Sequence, residues 1–308
     1  MTVRTPILAG FIAAALCGLA QAAVSLYQSR QLTPAGEYTF NIEGPAVDAA
    51  GALYVVNFAR PGTIGKVQPG ASRSELFAEL PEGSMGNAIR FDAQGRMFVA
   101  DWKRHNVFVI ERGVPRVYFT SAAFNQPNDL TVAADGTLYA SDPHWRRRDG
   151  QIWRIARAGE AGQGEVMASP RRMGTTNGID LSPDGRTLYV GESETREIWA
   201  YRVEGARLTS PRLVKRFDDF SFDGLRTDVD GRIYVARILK GTIAVLAPDG
   251  RIEREIALRA AEPTNLAFGG PDGRTVFVTQ RKGGFIETFR VERPGREFCL
   301  QKPEACGP

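Results

Sequence analysis

The sequence predicts an all-β fold, a six-bladed β-propeller of four-stranded blades that is closed by pairing of the N- and C-terminal segments. First, an alternating apolar run, an Asp/Pro/Gly turn and a second apolar run recur six times along the 308 residues. Second, the turn glycines are spaced by 44, 41, 49, 46 and 42 residues, a period typical of propellers and solenoids. Third, two more apolar runs follow most of these hairpins, which makes four strands per repeat. The turn glycines are Gly51, Gly95, Gly136, Gly185, Gly231 and Gly273.

The first 22 residues have the features of a secretory signal peptide. Arg4 precedes an apolar stretch, residues 6–20, which ends in the small-residue segment Ala20-Gln21-Ala22. The apolar stretch has about 15 residues, fewer than the roughly 20 that span a bilayer. We therefore expect a periplasmic or secreted protein with no stable membrane insertion after signal cleavage, in which residues 23–308 form one domain.

The hairpin of each repeat supplies its two inner strands, because side chains alternate across a pleated strand on either side of the turn. The six hairpins span residues 47–56, 89–101, 130–142, 179–192, 225–237 and 266–280. The predicted third strands are residues 63–67, 106–110, 151–155, 197–201, 242–246 and 285–289.

A fourth, outer strand is predicted in five of the six repeats. These strands are residues 75–80, 116–120, 165–168, 213–217 and 253–258. The sixth repeat ends near Arg293 without one, and the segment 25–32 is the available donor. Its pairing with the sixth repeat would close the ring and remove exposed sheet edges.

Two cysteines, Cys299 and Cys306, lie in the C-terminal tail, residues 294–308. In an oxidising compartment such a pair is expected to form a disulfide. Chain entropy gives roughly 2 to 3 kcal/mol at most for so short a loop. We interpret the pair as a clip within a polar tail, which would add little to the stability of the domain if the tail is frayed.

A polar residue stands eight positions before each turn glycine, at the start of each innermost strand. Rotation of six blades would bring these residues into a ring of oxygen ligands. One Glu, one Asp and four Asn suit a divalent cation, Ca²⁺ first, or a smaller ion completed by water. The alternative is that asparagines here only satisfy local turns. The ring residues are Glu43, Asn87, Asn128, Asn177, Asp223 and Asn265.

The loops between second and third strands return to the face that carries this ring, and we call them the mouth loops. They are residues 57–62, 101–105, 141–150, 191–196, 236–241 and 279–284. They hold eleven basic residues against five acidic ones, together with both histidines, Trp102 and Trp145. Positive charge around a concave mouth steers anionic ligands, so we expect an anionic small-molecule substrate that contacts His144 and Arg146. The alternative is a solvated surface. Nucleic acid is not expected, because neither a binding motif nor an aromatic-interleaved basic strand is present.

Four stretches around the ring residues match the pattern of a known family. They are Ile42-Glu-Gly-Pro45, Gln126-Pro-Asn-Asp-Leu130, Thr176-Asn-Gly-Ile-Asp-Leu-Ser-Pro-Asp-Gly185 and Phe222-Asp-Gly224. With them the chain resembles the senescence marker protein/gluconolactonase family, also called regucalcin-like, a set of six-bladed propellers. The resemblance covers essentially the whole mature chain.

The resemblance implies one divalent metal ion at the channel mouth, held by Glu43, Asn177 and Asp223. It implies that Asn128 is a further ligand or a substrate contact, and that Asp223 is the general base. Asn87 and Asn265 would either support the metal ligands from behind or complete the ring. Gln126, a further expected substrate contact, stands where some lactonases of the family have an arginine, which leaves the substrate open.

Together these features predict an exported, metal-dependent hydrolase, a lactonase that acts on a lactone or a related ester. Ca²⁺ is the first choice of metal, with Zn²⁺, Mn²⁺ or Mg²⁺ as alternatives. The alternative among enzymes is an aryl-ester or organophosphate hydrolase. A non-catalytic propeller that binds a metal or a ligand is the alternative of another class. The acidic pair Glu43 and Asp223 favours an enzyme, since a binding scaffold has no need of charged ligands.

Overall fold

A computed structural model describes Met1 and residues 25–306. Apart from Met1, the predicted signal peptide lies outside the described residues. No helix in the described part of the chain is long and apolar enough to cross a membrane. Six four-stranded antiparallel sheets form a six-bladed propeller, which confirms the predicted fold class.

The chain begins its first described strand, β1, at Arg30–Gln31, and then builds three blades from the channel outward. Blade 1 comprises β2 (Tyr38–Val47), β3 (Leu53–Phe58), β4 (Thr63–Val67) and β5 (Glu75–Glu79). Blade 2 comprises β6 (Gly86–Phe91), β7 (Met97–Asp101), β8 (Asn106–Glu111) and β9 (Val114–Thr120). Blade 3 comprises β10 (Leu130–Val132), β11 (Leu138–His144), β12 (Asp149–Ala158) and β13 (Ala161–Val166).

The remaining three blades follow the same order from the channel outward. Blade 4 comprises β14 (Thr176–Leu181), β15 (Thr187–Glu192), β16 (Glu197–Glu204) and β17 (Arg207–Arg216). Blade 5 comprises β18 (Leu225–Thr227), β19 (Ile233–Arg237), β20 (Thr242–Leu246) and β21 (Ile252–Ala257). Blade 6 comprises β22 (Pro263–Gly269), β23 (Thr275–Gln280), β24 (Phe285–Arg290) and the returning β1.

Blade 6 is closed by both ends of the chain, as the sequence predicts. Arg30 pairs antiparallel with Thr288, and Gln31 with Glu287. Leu26 adds an isolated bridge to Arg290. The predicted third strands all form, whereas the predicted outer strand 165–168 is displaced to β13. The displacement arises because a tight turn at Gly159, with φ of +63°, starts the return strand early.

One hydrophobic cluster fills each of the six gaps between neighbouring blades. In β3, for example, Tyr54 and Val56 pack toward blade 2, whereas the alternate residues Leu53 and Val55 pack toward blade 6. Each sheet therefore buries both faces. This is why the inner strands are nearly continuous apolar runs and why their polar residues concentrate at the strand ends.

Residues 294–306, the described part of the C-terminal tail, form an ordered plug of the channel, and the frayed tail considered from the sequence is wrong. They form a short helix, α1 (Arg296–Gln301), and a 3₁₀ turn (Pro303–Ala305). The guanidinium of Arg296 donates to Thr131 Oγ1 at 2.7 Å and pairs with Asp180 at 3.0 Å. Phe298 is buried. The sequence hid this helix because six residues are too few to show helical periodicity.

A disulfide joins Cys299 to Cys306, with 5.7 Å between their Cα atoms. It ties the last turn of α1 to the 3₁₀ turn. Since the helix is anchored inside the channel, the constraint on the unfolded chain opposes unfolding of an ordered part of the domain.

Replacing both cysteines by serine is therefore expected to lower the melting temperature by about 5 °C. Without the disulfide the unfolded chain regains loop entropy worth about 2 kcal/mol, which favours unfolding. Differential scanning fluorimetry measures this. Reductant should lower the melting temperature of the wild type by a similar amount and leave the double variant unchanged. Alkylation of both thiols in the unreduced, exported protein would contradict the disulfide.

Candidate active site

The ring residues meet in a cavity of about 350 Å³ at one end of the channel. Five of the six line it, and the sixth, Asn265, is buried behind the lining. Mouth loops complete the walls, which confirms that these loops and the ring share one face. The lining residues used below are Phe40, Glu43, Asn87, Trp102, Gln126, Asn128, Trp145, Asn177, Asp223 and Arg281.

Irregular backbone sets the direction of the ring side chains. The register of the innermost strand shifts at Glu43 in β2, at Asn87 in β6, at Asn177 in β14 and at Asn265 in β22. In the other two blades the ring residue precedes the strand by two positions. Bulges bend a strand and redirect its side chains. The ring residues therefore leave the regular alternation and turn toward the channel axis.

Glycine follows three ring residues, Glu43, Asn177 and Asp223, the ones that the family resemblance names as metal ligands. A Cβ at Gly44 would lie 2.7 Å from the carbonyl oxygen of Asn87, and φ there is +58°. A Cβ at Gly178 would lie 2.6 Å from the carbonyl oxygen of Asp223. Neighbouring blades can therefore approach closely only because glycine, which has no side chain, occupies these positions.

Two carboxyl groups share this cavity, and burial raises the pKa of both. Burial raises the pKa of Glu43 well above its usual range, and the charge of Asp223 raises it further. Burial also raises the pKa of Asp223 to about 7, although a hydrogen bond from Asn177 and the charge of Arg281 lower it. Bringing two negative charges together in a shielded cavity is unfavourable unless a cation neutralises them.

The amide groups of Asn177 and Asn265, near the two acids, make different hydrogen bonds. Asn177 Nδ2 donates to Ser193 Oγ at 3.0 Å, which leaves its carbonyl oxygen for a ligand. Asn265 Oδ1 instead accepts the Leu266 N–H at 2.9 Å, and its amide also lowers the pKa of Glu43. Asn265 is therefore suited to hold the carboxyl group of Glu43 in place.

These donors fit a hard divalent cation. Carboxylate and carboxamide oxygens are the ligands that Ca²⁺ prefers, and the paired acids supply the negative charge. Across residues 25–306 no group of three or more His, Cys, Asp or Glu side chains is arranged to hold a metal. An ion here would therefore need the amide oxygens of Asn128 and Asn177 beside the two carboxylates.

A buried charge network supports the ring from below. Asp129, directly after Asn128, accepts hydrogen bonds from Arg90 and Arg226 at 2.8 Å each. Glu297 of α1 lies 2.9 Å from Arg90 Nε and 3.4 Å from Arg226 Nε. The network links blades 2, 3 and 5 to the plug. The sequence analysis missed it, because these residues are distant along the chain and no local pattern marks them.

Of the four substrate contacts expected from the sequence, two lie in the cavity wall and two lie outside it. Gln126 and Asn128 line the cavity, whereas His144 and Arg146 do not. His144 Nδ1 accepts the backbone N–H of Arg147 at 3.1 Å within a turn, and Trp145 between them lines the cavity instead. The substrate roles of all four remain predictions. Phe40, which the sequence analysis missed, is a lining residue that remains 62% exposed.

The positive excess counted on the mouth loops is largely neutralised by acids from outside those loops. Arg60 pairs with Glu79 at 2.6 Å, and Arg281 pairs with Glu262 at 2.9 Å. Arg237 is fully buried and pairs with Asp219 at 2.6 Å. Counting charges by loop missed these partners, because they lie on strands or loops elsewhere in the chain.

Comparisons with known proteins agree with this architecture. Residues 42–282 match the sequence model of the family described as the SMP-30/Gluconolactonase/LRE-like region. A gluconolactonase of Zymomonas mobilis is 26% identical over 63% of this chain. The match covers 60% of that relative, so the chain spans less than two thirds of its length.

Solved structures show the same fold. A gluconolactonase from Xanthomonas campestris superposes with a TM-score of 0.72 at 21% identity, covering 86% of this chain and 89% of that one. Regucalcin from Agrobacterium tumefaciens, a calcium-binding protein, gives a TM-score of 0.69 at 18% identity, covering 86% and 97%. At these identities the similarity establishes the architecture.

Substituting Gly178 by alanine tests the packing of the ring. The new Cβ would push against the backbone of Asp223, so we expect the affinity for Ca²⁺ to fall at least about tenfold. Isothermal titration calorimetry measures it. Gly205, on a turn where an added Cβ meets no atom within 4 Å, provides the control. Gly205→Ala should cost some stability, because φ is +59°, but leave the affinity unchanged. Equal affinities in the two variants would contradict the role of Gly178.

Proposed function

The chain belongs to the SMP-30/gluconolactonase/LRE-like family, and we propose that it is an exported, metal-dependent lactonase that hydrolyses a lactone or a related ester. One observation carries this proposal: Glu43, Asp223, Asn128 and Asn177 share a single cavity at the channel mouth of a propeller of this family. Relatives named gluconolactonase support a lactone as the class of substrate.

Glu43, Asn128, Asn177 and Asp223 would hold the metal ion, for which Ca²⁺ is our first choice. A bound divalent ion would supply Lewis-acid polarisation of the ester carbonyl. The all-oxygen donor set supports Ca²⁺ over softer metals. The calcium-binding regucalcin of the same architecture is in line with this choice.

The two acids would divide the remaining work. Glu43 is 8% exposed, and its Oε2 accepts the Gly44 N–H at 2.8 Å, so it is fixed and mainly neutralises charge. Asp223 is only half-buried on the cavity wall, where a substrate and a water molecule can reach it. Asp223 is thus the residue that would accept the proton from the attacking water. Gln126 and Asn128 would orient the substrate through amide hydrogen bonds.

Aryl-ester or organophosphate hydrolysis is the second candidate function. Phe40, Trp102 and Trp145 favour it, because an aromatic leaving group would pack against their rings. Assay of Ca²⁺-loaded protein against sugar lactones, aliphatic lactones, aryl esters and phosphotriesters separates the two functions. A non-catalytic propeller would turn over none of these compounds and still bind Ca²⁺.

Asp223→Asn keeps an oxygen ligand but removes the base, so kcat should fall at least about 100-fold. The melting temperature of the Ca²⁺-loaded variant should change little. Glu43→Gln should mainly weaken Ca²⁺ affinity and regain activity in excess Ca²⁺. Asp135→Asn, the same change on an exposed distal turn, is the matched control and should retain wild-type kcat. Full activity after thorough chelation, or in Asp223→Asn, would refute the metal-dependent hydrolase.

Export is supported by the charged, apolar and small-residue order of the N-terminus and by the tail disulfide, which is typical of oxidising compartments. Cell fractionation followed by intact mass measurement tests it. We expect a periplasmic or secreted protein that has lost the residues up to about Ala22. A cytoplasmic protein that retains Met1 and reduced cysteines would count against export.

A further inference from the structure

We propose that Arg281 forms an anion-binding subsite in the candidate active site, so that the substrate is a lactone carrying a carboxylate, sulfonate or phosphate group. The inference rests on the proposed lactonase function and specifies its substrate class. Arg281 lies in the loop between β23 and β24. It is the only one of the eleven basic mouth-loop residues, all of them within residues 25–306, that lines the cavity.

Arg281 is held in place by contacts that do not use its two terminal guanidinium nitrogens. Its Nε donates to Glu262 Oε2 at 2.9 Å, and its backbone N–H donates to the Glu262 carbonyl oxygen at 2.9 Å. The ring of Phe40 lies 4.7 Å from its Cζ. Within the described part of the chain, neither of its terminal nitrogens donates a hydrogen bond to a protein group. A fixed guanidinium with both terminal nitrogens free matches a carboxylate or another oxyanion.

Two other arginines of the mouth loops differ from Arg281, because their terminal nitrogens are bound by protein groups. Arg237 is fully buried, and its Nη2 donates to Asp219 Oδ1 at 2.6 Å. Arg60 Nη2 pairs with Glu79 at 2.6 Å. In both, the terminal nitrogens bond to protein groups. Arg281 bonds to Glu262 from the side only, which leaves its end available in a cavity that also holds the two acids.

The charge of the cavity gives Arg281 a second reason to bind an anion. Glu43 and Asp223 would repel an anionic substrate, and a divalent ion at the ring would at most balance them. Arg281 adds positive charge on the wall of the same cavity, and Glu262 offsets part of that charge from the side. A substrate anion bound there gains a charge-assisted hydrogen bond from the guanidinium.

Aromatic side chains line the same cavity as the ring acids and Arg281. Phe40 and Trp145 are 62% and 40% exposed, and Trp102 joins them in the lining. Their rings would pack against the C–H face of a small ring compound. The site therefore suits a lactone whose ester lies at the ring residues while a separate anionic group reaches Arg281.

Two lactones of the same ring size test the subsite. The γ-lactones of gluconic and glucaric acid differ only at the terminal carbon, which is a hydroxymethyl group in one and a carboxylate in the other. The Ca²⁺-loaded wild type should prefer the glucaric lactone. In Arg281→Gln the ratio of kcat/KM for the glucaric over the gluconic lactone should fall about tenfold to a hundredfold, mainly through KM. Arg281→Lys, which keeps the charge without the fork, should fall between the two.

Arg148→Gln is the matched control. Arg148 lies on the same face and pairs with Glu194 at 3.1 Å, but it does not line the cavity. Its removal should leave the ratio within about twofold of the wild type, because exposed charges are screened. An unchanged ratio in Arg281→Gln, or an equal loss on both lactones, would overturn the subsite. If Arg281→Gln does not fold, Arg281→Lys decides by the same ratio.

Failure of the proposed function gives a different result. If the wild type opens neither lactone, the subsite is judged by calorimetry with the open-chain anions glucarate and gluconate on Ca²⁺-loaded protein. Arg281→Gln should then weaken glucarate binding about tenfold more than gluconate binding. Equal weakening of both anions, or none, would overturn the inference independently of catalysis.

Discussion

The centre of the propeller depends on the buried ion pairs that the Asp129 carboxylate makes with two arginines. The carboxylate lies between Arg90 of blade 2 and Arg226 of blade 5, and all three side chains are at most 1% exposed. Charges that are removed from water must be paired, so the three blades are held at fixed positions around the channel. Glu297 balances the second arginine and thereby seats the plug helix. Since Asn128 precedes Asp129 directly, the same network fixes part of the cavity floor.

Closure of the propeller ring places the candidate functional residues of different blades on one face of the protein. Every sheet buries both sides between its neighbours, so polar groups that are to reach a ligand must stand at strand ends or on loops. The distal turns carry Asp and Gly residues that satisfy the backbone of tight hairpins. The opposite face carries the strand starts and the loops between second and third strands. Oxygen ligands, aromatic walls and Arg281 therefore converge there, although they come from different blades.

Close approach of the blades at the ring has an electrostatic cost. Gly44 and Gly178 allow backbones of adjacent blades to come within contact distance, and this brings Glu43 and Asp223 into one shielded cavity. Burial then raises the pKa of both acids. The cation that we propose for this cavity would relieve the repulsion between the two acids. Arg281 relieves part of it from the side of the cavity.

The sequence by itself determined the features that depend on local periodicity. The turn glycines, the four-strand repeat, the closing segment and the ring positions such as Asn177 all follow from spacing, because a repeat places equivalent residues at equivalent points of a rotation. Only the tertiary structure decided which mouth residues enter the cavity. Trp145 does so while its neighbours His144 and Arg146 do not, because one turn orients consecutive side chains differently. The plug helix and the partners of Arg237 and Arg281 were likewise settled by contacts between distant segments, which no local pattern records.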